Sequence, residues 1–201
     1  MLVPGWLDPL AQAELAASVR RWIADAGGLH SPVMPTGGTM SVGMACLGWQ
    51  WFPYGYRRTL DREGRLPVAP FPAELGELGG RAVVDATGDA DAAERYGPDV
   101  AIINHYGPGA RMGMHVDRDE RDPAPVVSIS VGDTCTFRFG TPATRNRPWT
   151  DVVVESGDLV VFGGASRLAY HGVPKVLAGT GPPGLGITGR INLTLRRTGL
   201  S

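Results

Sequence analysis

At 201 residues, with 43% hydrophobic and 19% charged side chains, the chain has the size and composition of one globular domain whose core needs neither disulfides nor a structural metal. A formal net charge of −1 argues against extensive wrapping of a nucleic-acid backbone, yet all 19 basic residues except Lys175 are arginines, whose guanidinium forks suit carboxylate and phosphate. Apolar runs are too short to span a membrane, residues 1–9 lack a secretory pattern, and Cys46 and Cys135 make no disulfide framework, so the expectation is a cytoplasmic monomer without membrane contact.

In chain order, residues 8–26 read as a helix, with Asp8 as its cap, Pro9 in the first turn and Gly27-Gly28 at its end. Leu15, Val19, Trp22 and Ile23 form its apolar stripe. Residues 31–70 are rich in Gly, Pro and aromatics, and Gly48 to Tyr56 packs five aromatics into nine positions. That stretch reads either as a turn-rich segment whose rings cover the core or as a flexible lid that stacks a flat ligand. A second helix is expected after Pro72, with Leu75, Leu78 and Ala82 on one side and Gly76, Gly79 and Gly80 weakening the pattern. From Val100 the pattern changes to short β segments at 100–106, 126–131, 134–139, 151–154, 159–162 and 190–197. Without helices between them they imply a sandwich, barrel or jelly roll rather than a parallel sheet. The expected fold is α+β, a single domain over 1–201, in which a helical and lid-forming part (1–99) backs a β core (100–201).

Residues two apart on a strand share a face. In 190–196 the apolar set is Ile191, Leu193 and Leu195, and the other face carries Arg190, Asn192, Thr194 and Arg196. Such a face is either solvated or an anchor for a dicarboxylate inside a β cavity. The same alternation pairs Asn104 with Tyr106, and His115 with Asp117. His115-Val116-Asp117 offers two metal-competent groups, and His171 is the best third among only four histidines. Two imidazoles and a carboxylate leave three positions open on an octahedral iron, enough for a bidentate cosubstrate and oxygen. Zinc hydrolysis by the same three ligands is an alternative that leaves the arginine face unused. No G-x-S-x-G elbow or P-loop is present.

Asn104-His105-Tyr106-Gly107-Pro108-Gly109, His115-Val116-Asp117-Arg118-Asp119-Glu120 and Arg190-Ile191-Asn192-Leu193-Thr194-Leu195-Arg196 together resemble the AlkB family of 2-oxoglutarate dioxygenases. Gly37 to Val42, and Gly163 to Arg167 leading to His171-Gly172, extend the resemblance in order from about Met34 to Gly199. The resemblance implies a double-stranded β-helix core with an N-terminal nucleotide-recognition lid. It makes His115, Asp117 and His171 the Fe(II) ligands, and Asn104, Tyr106, Arg190, Asn192 and Arg196 the holders of 2-oxoglutarate, with Arg190 or Arg196 on its distal carboxylate. Trp49 and Tyr56 match the lid aromatics, Asp119 sits near the alkylated base, and Arg145 and Met40 line the substrate side. Arg111 and Arg118 face the nucleic-acid backbone. The implied reaction is oxidative demethylation of bases such as 1-methyladenine and 3-methylcytosine, in single- or double-stranded DNA and with RNA as a further candidate. It uses Fe(II), 2-oxoglutarate and O2, and releases formaldehyde, succinate and CO2. Such lesions are cationic and pair poorly, so they leave the stack cheaply, and stacking on Trp49 is worth roughly 1–3 kcal/mol. A dioxygenase acting on protein or lipid, and a non-catalytic reader of methylated nucleic acid, are the competing readings. Because both histidines must be neutral to bind iron, affinity is expected to fall below about pH 6.5.

Overall fold

The computed structural model describes residues 1–60 and 66–201; residues 61–65, part of the aromatic-rich stretch, lie outside the described residues. Chain order begins with β1 (Leu2–Val3), α1 (Pro9–Asp25), β2 (Gly43–Leu47) and the hairpin β3 (Gln50–Phe52) and β4 (Gly55–Arg57). Two helices follow, α2 (Ala73–Thr87) and α3 (Ala90–Arg95), and then β5 (Val100–Tyr106), β6 (Met112–His115), β7 (Val126–Gly132) and β8 (Cys135–Phe139). The chain closes with β9 (Thr150–Val154), β10 (Leu159–Phe162), a 3-10 turn at Gly164–Ser166, β11 (His171–Val176) and β12 (Arg190–Arg196).

Among the described residues the strands form a six-stranded antiparallel sheet, ordered β1-β10-β7-β12-β5-β2, and a four-stranded one, ordered β6-β11-β8-β9. Two facing antiparallel sheets with helices segregated outside one of them make a jelly-roll layering. The reason lies in the alternation. Leu193, Leu195, Ile103, Ile129 and Val127 leave the larger sheet on one side and meet Leu15, Val19, Trp22, Leu75 and Val83 of α1 and α2 in one core. The opposite side of the same strands is polar and faces the smaller sheet.

Both expected helices form. The Asp8 carboxylate accepts the Ala11 N–H, as an N-cap should. The glycines of α2 do not break it, and one of them is required: a Cβ on Gly79 would stand 2.8 Å from the ring of Tyr96, whose hydroxyl donates to the Leu195 carbonyl at 2.9 Å. Six strands lie outside the expected β segments: the short β1, β3 and β4, and also β2, β6 and β11. In β2, four consecutive residues are buried, so no alternation betrays it, and a strand from the N-terminal half completes the larger sheet. β6 is short, and β11 contains Pro174, which is tolerated because the ladder to β8 shifts register between Gly172 and Lys175.

Candidate active site

Between the sheets lies a cavity of about 570 Å³ whose wall includes His115, Asp117 and His171. His115 ends β6 and His171 begins the neighbouring β11, where the two are direct cross-strand partners. Asp117, two residues beyond the strand, is 5% exposed and sits between the rings: Oδ1 is 3.6 Å from His115 Nε2, and Oδ2 is 3.5 Å from His171 Nε2. One ligand atom from each lies within 4.8 Å of the others. Each Nδ1 faces a backbone carbonyl, Gly113 for His115 and Ala169 for His171, both at 3.0 Å. Those contacts assign the proton to Nδ1 and leave the Nε2 lone pairs converging beside a carboxylate, which is the donor set of a divalent metal.

The electrostatics favour the same state. Although 36% of the His115 side chain meets solvent, the protein packed around its ring, and then His171, push its pKa down to about 4. Burial opposes ionisation of Asp117, but Arg196 first and His171 next hold its carboxyl far below the usual range. A neutral His115 imidazole and an ionised Asp117 carboxylate are therefore ready at neutral pH. The Asp117 Oδ2 atom lies 2.9 Å from Arg196 Nη2, yet the angles make no hydrogen bond, and this buried oxygen has no hydrogen-bond partner among the described residues. Phe137, Phe139 and Phe162 pack around His171 with ring centroids 4.9 to 6.4 Å away, which fixes the ring and keeps that side dry.

Strand β12 carries both arginines on its cavity face. They are six residues apart, about 20 Å along an extended strand, so they cannot share one carboxylate. Arg190 is 2% exposed; Nη2 donates to Ser130 Oγ at 2.9 Å, while Nε and Nη1 find no hydrogen-bond partner among the described residues. A buried cation with two unused donors calls for an anionic ligand. Tyr106 stands beside it, the guanidinium carbon lying 5.0 Å from the ring centre. Asn104, in register with Asn192 across β5 and β12, has a buried Oδ1 with no hydrogen-bond partner among the described residues, whereas Asn192 is turned toward Ser128 Oγ at 2.7 Å. Arg196 is already engaged: Nη1 donates to Glu120 Oε1 at 2.9 Å and Nη2 neighbours Asp117.

Glu120 was quoted in the sequence motif without a role. Its side chain is fully buried and accepts from Arg196, from Arg167 at 3.0 Å and from the Tyr56 hydroxyl. Arg167 also donates to the Asp117 carbonyl at 2.7 Å. The arginine that closes the Gly163-to-Arg167 motif thus braces the loop carrying Asp117. Pattern reading missed both residues because their partners lie 47 and 76 positions away.

Of the remaining expected residues, Met40, Asp119, Arg118 and Arg145 line the cavity. Arg111 is exposed and stands outside its wall, held by backbone bonds to Ser41 Oγ. The aromatic assignments change. Trp49 is 5% exposed and turned away from the cavity: its Nε1 donates to Asp99 at 3.2 Å, and the Arg58 guanidinium covers its ring at 3.6 Å. Tyr56 is committed to Glu120 beneath the wall. The cavity is instead faced by Trp51 and Tyr54 of the β3–β4 hairpin. Trp51 Nε1 donates to Asp119 Oδ2 at 2.8 Å, joining an indole plane to a half-buried carboxylate whose pKa burial raises. Residues two apart share a face only within one strand, and Trp49 lies outside β3, after Gly48 with its positive φ, so sequence spacing does not reveal that the two rings part.

The sequence pattern of the 2OG-Fe(II) oxygenase superfamily matches residues 1–196. The alpha-ketoglutarate-dependent dioxygenase AlkB of Escherichia coli (strain K12) is 38% identical over 213 residues, covering 96% of this chain and 94% of that protein. The DNA N(6)-methyladenine demethylase ALKBH1D of Arabidopsis thaliana is 31% identical over 215 residues, covering 98% of this chain; the chain spans 48% of that longer relative. The solved structure of OsALKBH1 superposes with a TM-score of 0.84 at 29% identity, covering 98% of this chain and 97% of the other.

Proposed function

Because the chain belongs to the 2OG-Fe(II) oxygenase superfamily, and within it to the AlkB family, we propose that it is an iron- and 2-oxoglutarate-dependent dioxygenase that demethylates alkylated bases in DNA. His115 Nε2, His171 Nε2 and one Asp117 oxygen hold Fe(II). Arg190, with its two unused donors, receives the distal carboxylate of 2-oxoglutarate, and this buried, unsatisfied guanidinium is the observation that carries the reading. Asn104 and Tyr106 flank that cosubstrate, with Asn192 behind them. Arg196 and Glu120 keep Asp117 ionised and in place. The bound iron, with 2-oxoglutarate and O2, supplies the oxidising equivalent that hydroxylates the N-alkyl carbon while the cosubstrate becomes succinate and CO2.

The protein's own part is to bind and orient. Trp51 offers the stacking plane for a base taken out of the helix. Asp119, desolvated and fixed by Trp51, favours the cationic 1-methyladenine and 3-methylcytosine over neutral bases. The three phenylalanines exclude water from the His171 side. Arg118, Arg145 and the exposed Arg111 meet phosphates. The hydroxylated carbon then leaves as formaldehyde and the base is restored. The enzyme works as a cytoplasmic monomer; its two free, buried cysteines suit a reducing compartment. No helix among the described residues is long and apolar enough to cross a membrane.

The test is a set of short oligonucleotides carrying one 3-methylcytosine or 1-methyladenine, as single-stranded DNA, duplex DNA and RNA, incubated with Fe(II), 2-oxoglutarate and O2. Restored base, formaldehyde and succinate should appear in step. Succinate without restored base on any of them would refute the substrate.

A further inference from the structure

Residues 140–149 join β8 to β9 and bring two arginines and no acidic residue beside the cavity. Arg145 is exposed and lines the cavity, and its guanidinium has no hydrogen-bond or ion-pair partner among the described residues. A long cationic side chain on a loop binds an anion well only where the loop is already held, because ordering it on binding costs free energy. Residues 141–148 do little to hold themselves. Most are exposed, and none is an aromatic or a branched aliphatic residue.

Trp149 supplies the anchor. Its indole Nε1 donates to the Arg145 carbonyl at 3.0 Å. The ring is held in turn: the Arg138 guanidinium carbon lies 4.4 Å from its centre, and that guanidinium donates two 2.7 Å bonds to Asp151, its cross-strand partner. Arg147 places a second guanidinium 5.5 Å from the same ring. A Cβ on Gly140 would stand 3.4 Å from the indole, so the ring rests against bare backbone at the root of the loop. The Gly140 N–H donates to the carbonyl of Tyr170 at 2.7 Å, and Tyr170 lines the cavity next to His171. The loop is therefore moored twice, at its root beside a metal ligand and at the backbone of the residue that carries the free cation.

We propose that Trp149 is the positioning residue for the nucleic-acid strand: it fixes the backbone of Arg145 so that the guanidinium meets a phosphate next to the base held in the cavity. This rests on the nucleic-acid demethylase reading given above. Trp149 touches no substrate itself. Its effect runs through Arg145 and belongs to the polynucleotide, because it sets how many phosphates are neutralised and so how steeply binding weakens with salt.

The test is a titration of the Mn(II)- and 2-oxoglutarate-loaded protein with a fluorescent single-stranded oligonucleotide carrying one 3-methylcytosine, at several salt concentrations. Trp149→Phe keeps an aromatic ring for Arg138 and deletes the N–H, and it is combined with Arg145→Ala in a double-mutant cycle. Trp149→Phe alone should weaken binding about fivefold at low salt, the effect of one hydrogen bond. It should also lower the slope of log affinity against log salt by roughly 0.7, the value of one single-strand phosphate. Arg145→Ala should do both at least as strongly, and Trp149→Phe should then add nothing in the double variant. Parent affinity and slope in Trp149→Phe overturn the proposal. So does a loss that persists undiminished beside Arg145→Ala, which is what a merely structural tryptophan, or a variant that fails to fold, would give. Parent affinity in Arg145→Ala removes the phosphate contact and the proposal with it. A parent protein that leaves the oligonucleotide unbound refutes the substrate reading on which the proposal rests.

Discussion

Gly172→Ala tests whether the metal-ligand geometry is set by the fit of β6 against β11. A Cβ at Gly172 would stand 2.8 Å from the Met112 carbonyl oxygen and 2.9 Å from that of Gly113. Both obstacles are backbone, so no side-chain rotation relieves them, and β6 must retreat by about half an ångström to restore ordinary contact. The Gly113 carbonyl is also the group that orients His115, through Nδ1 at 3.0 Å. The displacement therefore falls on a ligand whose distance to a metal has a tolerance of about 0.2 Å. Crowding of this kind costs about 1–3 kcal/mol, which corresponds to a loss of roughly 5- to 150-fold in affinity if it is borne by the metal site. Anaerobic titration with Mn(II), alongside thermal melting, reads both consequences. Gly113→Ala is the control, because a Cβ there meets nothing within 4 Å and both measurements should stay at the parent values. A Gly172→Ala protein with unchanged Mn(II) affinity, or a Gly113→Ala protein equally impaired, would refute the reasoning.

Arg190→Met should leave Mn(II) binding intact while weakening 2-oxoglutarate binding by about 2–5 kcal/mol, measured by calorimetry on the Mn(II)-loaded protein; unchanged affinity would remove Arg190 from the cosubstrate site. Trp51→Ala should raise KM for a methylated oligonucleotide by the equivalent of about 1–3 kcal/mol with little change in Tm, whereas Trp49→Ala should cost about 3–5 kcal/mol of stability. The reverse pattern would restore Trp49 as the stacking ring. Because packing holds His115 down at about 4 against an ordinary 6.5, the unfolded chain takes up that proton at a higher pH than the folded one. This contribution to stability is complete above pH 6.5 and is lost as pH falls from there toward 4, so the Tm of the metal-free protein should drop across that window. A Tm that stays level as pH falls from 6.5 toward 4 would contradict the depressed His115 value.

Much of this site was legible because strands write their faces into the sequence. Arg190, Asn192 and Arg196 alternate with Ile191, Leu193 and Leu195, and the structure separates the two sets into cavity and core. His115 and His171 could be paired because histidines are scarce and each borders a β segment. Long-range matters were not legible. Which of two arginines is free depends on Glu120 and Asp117, which fold back to occupy Arg196 and leave Arg190 with unused donors. Trp49 and Trp51 are distinguished by Asp99 and Asp119, which lie far along the chain. β2 escaped notice because a strand buried on both faces shows no alternation, and its discovery places Met44 beside Asn104 in the cavity wall.

The account stands or falls on where a metal and a cosubstrate bind, so the most direct measurement is an anaerobic crystal structure with Mn(II) and 2-oxoglutarate. It should show the metal ligated by His115 Nε2, His171 Nε2 and an Asp117 oxygen, with a carboxylate of the cosubstrate on Arg190 Nε and Nη1. A metal bound elsewhere, or a cosubstrate that leaves the Arg190 donors untouched, would contradict it.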